Sequence, residues 1–219
     1  MTTRLSHHTS FCTTPWRLAA LATALAASTL MSACVPLLLG GAMVGGAMVV
    51  SDRRTSGAQV EDQGIEMKGI NRVREITGGT AHVNVTSYNR MVLLTGEVAS
   101  DNDKAAVEQA ITTRTENLRS VVNELAVMPP TSLGSRSGDS LLTSKVKASL
   151  VDAKDLISSA FKVVTERNVV YLMGRVTERE ANRAADVAAG VSGVEKVVKV
   201  FEVVSEAELS GQVITPAPK

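Results

Sequence analysis

Cysteine, tryptophan and histidine are scarce in this chain of 219 residues, with two, one and three copies respectively. Aromatic residues make up 3% of the sequence, which is too few for a surface that stacks bases or sugar rings. The formal net charge is +1, so non-specific binding to nucleic acid has no electrostatic basis. The composition therefore excludes the usual kinds of nucleic-acid-binding surface.

Catalytic motifs are also missing. No serine lies in Gly-x-Ser-x-Gly, or in Ser-x-x-Lys with its supporting motifs. The glycines between residues 40 and 46 are not followed by the lysine of a phosphate-binding loop. His82 alternates with Val83 and is interpreted as a solvent-facing strand residue, and the carboxylates fall mostly on helix surfaces or near turns. We therefore predict no catalytic residue, metal site, cofactor or small-molecule substrate, and hence no enzyme.

Long apolar stretches are confined to the N-terminal part. The run from Leu18 to Met31 follows Arg4 and Arg17 with no acidic residue before it, which is typical of a signal peptide. It falls short of the roughly 20 residues that span a bilayer. Its end, Leu30-Met31-Ser32-Ala33-Cys34, resembles a bacterial lipobox, although Met31 stands where leucine is commoner. This predicts cleavage before Cys34 and lipidation of its sulfur.

The alternative at this end is an uncleaved membrane anchor, because the chain stays apolar from Val35 to Val50. Pro36 and four glycines make that stretch a poor helix, so the lipid anchor is favoured. Removing residues 1–33 leaves 21 basic and 22 acidic side chains, no tryptophan and a single cysteine. The mature chain then has a charge of about −1 and no intrachain disulfide.

The sequence after the N-terminal segment contains an internal repeat. Residues 91–98, MVLLTGEV, align with residues 169–176, VVYLMGRV, at an offset of 78. In the second copy, Leu142, Val146 and Leu150 indicate a helix from about Ser140 to Val151. Two strands follow, then a capping box from Thr177 to Glu180, an alanine-striped helix and a last strand, Val197 to Val204. This order is αββαβ.

The first copy repeats this order with weaker signals. Ile65, Val73 and neighbouring apolar residues suggest its opening helix, which Gly69 interrupts, and Val121 to Met128 reads as its third strand. Residues 51–60 and 206–219 look extended or disordered. The predicted organisation is a signal peptide over 1–33, a lipidated tether over 34–60, a first domain over 61–128, a Pro/Ser/Gly-rich linker over 129–138, a second domain over 139–205 and a flexible tail over 206–219. We predict an α+β fold with two tandem domains, each a three-stranded sheet packed on two helices.

Each copy has an apolar strand ending in a glycine, Gly96 or Gly174, and both lie behind the lipobox. Together with Asp52-Arg53-Arg54-Thr55, Gly57-Ala58-Gln59-Val60 and residues 172–181, LMGRVTEREA, this resembles the dual BON-domain outer-membrane lipoproteins of the DolP type. The resemblance covers nearly the whole mature chain. It implies acyl chains such as palmitate on Cys34, an anchor in the outer membrane facing the periplasm, binding of anionic phospholipid by the second domain, and a role in envelope integrity. Val35, which is not aspartate, agrees with outer-membrane delivery.

The helix from Ser140 to Val151 is the candidate lipid-binding element. Its face turned away from the core stripe carries apolar residues and lysines, a combination suited to shallow docking on an anionic surface. In the resembling family the matching helix contacts lipid, but an aromatic residue stands where this chain has Leu141, which implies weaker affinity. The alternatives are that this face packs on the first domain, or that it is plain surface. The candidate lipid-binding residues are Leu141, Ser144, Lys145, Lys147, Ala148 and Val151.

Two hypotheses follow. The first is a lipid-anchored module that recognises an anionic phospholipid membrane and supports outer-membrane integrity. The second is an adaptor for outer-membrane assembly proteins or an envelope protease, without direct lipid recognition, whose partner adds a strand to an exposed sheet edge.

Overall fold

The computed structural model describes residues 52–209 and residue 211. The predicted signal peptide, Cys34 and Val35 lie outside the described residues. Both copies of the repeat are described, and each folds into an α+β unit of the predicted order. Among the described residues, no helix combines the length and the apolar character needed to cross a membrane.

The first domain contains one interrupted strand. The sequence predicts a continuous third strand, but Leu125 turns into the core, where it is 2% exposed, and its N–H donates to Asn123 Oδ1. The first and second strands pair antiparallel, and both pieces of the third pair parallel to the second. The elements are α1 (Ser56–Thr77), β1 (His82–Tyr88), β2 (Met91–Val98), α2 (Asp101–Arg114), β3 (Ser120–Asn123) and β4 (Ala126–Val127).

The start of α1 corrects the prediction that residues 51–60 are extended or disordered, of which residue 51 lies outside the described residues. Thr55 caps the helix by accepting a hydrogen bond from the Ala58 N–H, so residues 56–60 are helical. Gly69 does not interrupt α1 either. A Cβ atom at this position would lie 2.7 Å from Val85 Cγ1, so the glycine allows the helix to lie close against β1.

The second domain follows the prediction more closely. Its first and second strands pair antiparallel, and its third strand pairs parallel to the second. The predicted capping box at Thr177 and Glu180 is present at the start of the second helix of this domain. The predicted tail begins with four helical residues, and most of it lies outside the described residues. The elements are α3 (Leu133–Asp152), a 3₁₀ turn (Ser158–Ala160), β5 (Phe161–Glu166), β6 (Val169–Val176), α4 (Glu178–Ala189), β7 (Lys196–Val203) and α5 (Glu206–Leu209).

The linker prediction for residues 129–138 is wrong for residues 133–138, which form the first turns of α3. Ser132 caps the helix by accepting from the Ser135 N–H. The hydroxyls of Ser137 and Ser140 donate to backbone carbonyls four residues earlier. Because helix geometry satisfies these polar groups locally, serine-rich composition does not prevent helix formation here.

Both hairpin turns are held by the same arrangement of hydrogen bonds. Asn89-Arg90 and Arg167-Asn168 have positive φ angles between 49° and 66°. In each turn, two backbone N–H groups donate to one buried aspartate on the preceding domain helix. Asp62 accepts from Asn89 and Arg90, and Asp139 accepts from Arg167 and Asn168. The two copies of the repeat therefore also share this contact, in which an aspartate of the first helix holds the hairpin turn.

The two sheets pack against each other. Each domain has its own core between sheet and helices, and a third cluster is shared between the sheets. The members of this cluster alternate along the strands with residues of the domain cores, so both faces of each sheet are buried there. The buried residues of the shared cluster are Tyr88, Leu93, Tyr171, Met173 and Val200.

Candidate functional site

The candidate lipid-binding face lies on α3. The inward stripe of the helix is formed by Leu142, Val146 and Leu150, which are at most 5% exposed. All six predicted lipid-binding residues lie on the outside of the helix and are exposed. Leu141 is 59% exposed and Val151 is 65% exposed, so the alternative in which this face packs on the first domain is wrong.

Sequence reasoning missed a third apolar residue of this face. Leu133 is 78% exposed and lies at the start of α3. It stands 18 residues before Val151, which is five full turns, so both side chains lie on one line about 27 Å long. The periodicity of the core residues begins only at Leu142, so it does not reveal where α3 starts. Ser132, a residue type that caps helices, is the sequence signal for the earlier start.

The charges of this face are carried by Lys145 and Lys147, which are exposed, with Asp152 exposed at the end of the helix. Small side chains, Ser144 and Ala148, lie among the apolar tips. The arrangement resembles a shallow interfacial helix, in which apolar tips enter the headgroup region and ammonium groups meet phosphates.

The matching helix of the first domain differs in its charges. Val60 and Met67 are 67% and 69% exposed, but α1 also carries several acids. Asp62 is buried under the hairpin turn and Glu66 forms an ion pair with Lys162 at 2.7 Å. These acids hold the structure together, which is a role that the sequence interpretation as surface charge did not include.

A segment before α1 ties the two domains together. Arg53 donates two hydrogen bonds to the Glu180 carboxylate, at 2.7 and 2.8 Å, and one to the Arg175 carbonyl. The hydrogen bond from Arg53 lowers the pKa of Glu180 to about 2, against the opposing effect of burial. Arg54 pairs with Asp62 at 2.8 Å, and its guanidinium lies 4.3 Å from the centre of the Tyr88 ring. The predicted tether thus ends in an interdomain clamp.

A second polar cluster lies on the side of His82. The prediction that His82 faces solvent is wrong, since its side chain is 18% exposed and its Nδ1 lies 3.0 Å from Glu97 Oε2. Glu97 is fully buried and also pairs with Arg167 of the second domain at 3.1 Å. The Thr131 N–H donates to Glu97 Oε2 as well. Buried carboxylates therefore carry much of the interface, contrary to the expectation of solvated charge.

Glu166 completes this cluster from the second domain. Its Oε2 accepts from Asn84 Nδ2 at 2.9 Å, and its Oε1 lies 3.9 Å from His82 Nδ1. Burial raises the pKa of Glu166, and the neighbouring Glu97 charge acts in the same direction. Burial also acts to raise the pKa of Glu97, but hydrogen bonds from Thr131 and His82 outweigh it and lower that pKa.

The comparisons with known proteins agree with the repeat. The family model described as "BON domain" matches residues 70–129 and 138–205. These two stretches together exceed half of the chain. The chain belongs to the BON-domain family.

Several curated proteins resemble this BON-domain chain. An "Outer membrane lipoprotein DolP" from Haemophilus influenzae is 39% identical over 83% of this chain and 94% of that protein. A "21 kDa hemolysin" from Actinobacillus pleuropneumoniae is 30% identical over 70% of this chain and 79% of its own length. "Osmotically-inducible protein Y" from Escherichia coli is 42% identical, but only over 30% of this chain and 33% of that protein.

These relatives confirm the predicted dual BON-domain, DolP-like family and the α+β fold. They also agree with a location at the outer membrane, where the BON-domain chain is a lipid-anchored lipoprotein. None of the three names is that of an enzyme. The lipid-binding residues and the protein partners stay predictions.

Proposed function

We propose that this lipoprotein recognises anionic phospholipid through the outward face of α3, on the periplasmic side of the outer membrane, and thereby supports the integrity of that membrane. It acts by binding and not by catalysis. The observation that carries the proposal is the set of exposed apolar residues Leu133, Leu141 and Val151 on this outward face, together with the exposed Lys145 and Lys147.

The lipid anchor and the outward face of α3 contribute very different free energies of membrane binding. Each buried methylene contributes about 0.8 kcal/mol, so several acyl chains on Cys34 would hold the protein on the membrane. Each lysine near an anionic surface adds only about 1 kcal/mol. The helix face alone is therefore a weak binder. On a tethered protein, the high local concentration of lipid makes such weak binding effective, so α3 would respond to lipid composition.

The test uses soluble protein that starts after Cys34, because residues 52–209 contain both domain cores and the shared cluster. Leu141→Glu combined with Lys145→Glu removes one apolar tip and reverses one charge. We expect the affinity for vesicles containing phosphatidylglycerol to fall at least about tenfold, which corresponds to about 1.4 kcal/mol. Co-sedimentation measures this change.

The matched control is Met67→Glu on α1, since Met67 is exposed to a similar degree on the corresponding helix of the first domain. This variant should keep its vesicle binding. Unchanged binding of the α3 double variant would contradict the assignment of the site.

The adaptor function is the second candidate. Among the residues that the structure describes, β7 lies at an edge of its sheet and pairs with β6 alone. It carries Val203, which is 53% exposed. Such an edge can accept a strand from an outer-membrane assembly protein or an envelope protease. This candidate would be favoured if β7 cross-links to a protein in intact cells and the wild-type protein does not bind vesicles.

A further inference from the structure

Three side chains that ligate metals in other proteins converge at the interface between the two domains. His82 on β1, Glu97 on β2 and Glu166 on β5 each offer one ligand atom, and these atoms lie within 4.8 Å of one another. We propose that these residues form a binding site for one divalent transition-metal ion of the zinc class, and that the ion links the two domains.

The distances suit a small ion. Two ligands of a tetrahedral zinc ion are separated by roughly 3.3 Å when the bonds are about 2.0 Å long. His82 Nδ1 lies 3.0 Å from Glu97 Oε2 and 3.9 Å from Glu166 Oε1, so the observed separations lie on either side of that value. Small side-chain shifts would bring the three donors to zinc-binding distances.

The ligand types select the metal. One imidazole with two carboxylates is a donor set that zinc accepts in proteins, whereas calcium and magnesium prefer oxygen ligands only. Asn84 donates to Glu166 Oε2 and Thr131 donates to Glu97 Oε2. These hydrogen bonds orient the carboxylates, as outer-shell partners do in known metal sites.

The net charge around the three ligands favours a bound cation. Arg167 Nη1 pairs with Glu97 Oε1, which leaves Oε2 directed at His82. Asn84 Nδ2 donates to Glu166 Oε2, and Glu166 Oε1 lies 3.9 Å from His82 Nδ1 on a side chain that is almost fully buried. With a neutral imidazole, the two carboxylates outweigh the one guanidinium, and a divalent ion would compensate the remaining negative charge.

An entry path exists beside the cluster. An open pocket of about 230 Å³ is lined by His82, Asn84 and Glu166, and by Arg136 and Asp139 of α3. The charges of Arg136 and Asp139 oppose each other, so the pocket itself does not repel a cation strongly. A water molecule in this pocket would supply the fourth ligand.

The internal repeat predicts that each chain binds one metal ion at a site of this kind. At the repeat offset of 78, the three ligand positions correspond to Ala160, Arg175 and Tyr88. The corresponding cluster is present in the fold, where the Tyr88 hydroxyl lies 3.4 Å from the Ala160 carbonyl, but it offers no histidine or carboxylate. One of two related positions thus carries a complete ligand set.

The test measures zinc on the full mature lipoprotein extracted in detergent. After incubation with ZnCl₂ and removal of excess metal, we expect one ion per chain by mass spectrometry of the elements. Competition with a chromophoric chelator should give a dissociation constant below about 1 µM. Glu166→Gln and His82→Ala should each weaken binding at least about tenfold, whereas Glu178→Gln, an exposed carboxylate on α4, should leave it unchanged.

Two further readouts separate a built site from surface binding. Zinc should raise the unfolding temperature of the wild-type protein but not that of Glu166→Gln, and Co²⁺ should give the visible absorption of a four- or five-coordinate site. A far-UV circular dichroism spectrum confirms folding, and Glu166→Gln decides the question if His82→Ala does not fold. The absence of stoichiometric binding, or equal binding by Glu166→Gln, would overturn the proposal.

Discussion

At the scale of single residues, buried ionised groups connect parts of the chain that are distant in sequence. Arg53 and Glu180 are separated by more than half of the chain, and their side chains are 12% and 6% exposed. The same Glu180 carboxylate caps α4 through the Thr177 N–H. One charge therefore stabilises a helix start and an interdomain contact.

This pair predicts a pH dependence. The pKa of Glu180 is about 2 in the folded protein, against an ordinary value of 4.5. A lowered pKa adds stability that is complete above about pH 4.5 and is lost as the pH falls toward 2. Arg53→Met removes the largest cause, so urea unfolding should find it less stable than wild type at pH 7, by about 1–3 kcal/mol.

The difference between Arg53→Met and wild type should shrink at pH 3. A matched control is Arg72→Met, because Arg72 forms an exposed pair with Glu75 within α1. That change should cost at most about 0.5 kcal/mol. A loss that stays constant from pH 7 to pH 3 would contradict the assignment to Glu180.

At the scale of elements, two of the three glycines in α1, Gly64 and Gly69, have opposite surroundings. A Cβ atom at Gly69 would meet Val85 Cγ1 at 2.7 Å and Ile111 Cδ1 at 3.2 Å, whereas nothing lies within 4 Å of one at Gly64. Close packing of α1 against the sheet therefore depends on Gly69, and Gly64 has no such constraint.

The two positions predict opposite effects of alanine. Gly64→Ala should stabilise the protein by up to about 1 kcal/mol, because alanine lowers the entropy cost of forming the helix. Gly69→Ala gains the same amount but overpacks a buried contact, and we expect a net loss of about 1–2 kcal/mol. Urea unfolding of both variants measures this. Two changes of the same sign would contradict the packing explanation.

At the scale of the whole molecule, the shared cluster predicts that both domains unfold together. Met173 is fully buried within it, on the second domain, and packs with Tyr88 and Leu93 of the first domain. Calorimetry should therefore give one transition, with equal calorimetric and van't Hoff enthalpies. Met173→Ala should shift the whole transition, at a cost of about 2–4 kcal/mol. Two transitions, of which only one moves, would contradict this.

The sequence determined the elements of this protein because the signals that define them are local. Apolar periodicity located Leu142, Val146 and Leu150 on one helix face, and the spacing of Thr177 and Glu180 identified the start of α4. The offset between residues 91–98 and 169–176 was enough to recognise two related domains. Those same local signals located the exposed residues of α3 from Leu141 to Val151.

The burial of the polar groups and the identity of their contacts depend on how distant parts of the chain pack. Nothing near His82 in sequence indicates Glu166, because the two meet only when the sheets pack face to face. The sequence likewise predicts a tether at Arg53 and a linker at Leu133. Composition does not reveal a partner more than a hundred residues away, or a cap that starts a helix early. Burial arises from long-range packing, and local pattern cannot specify it.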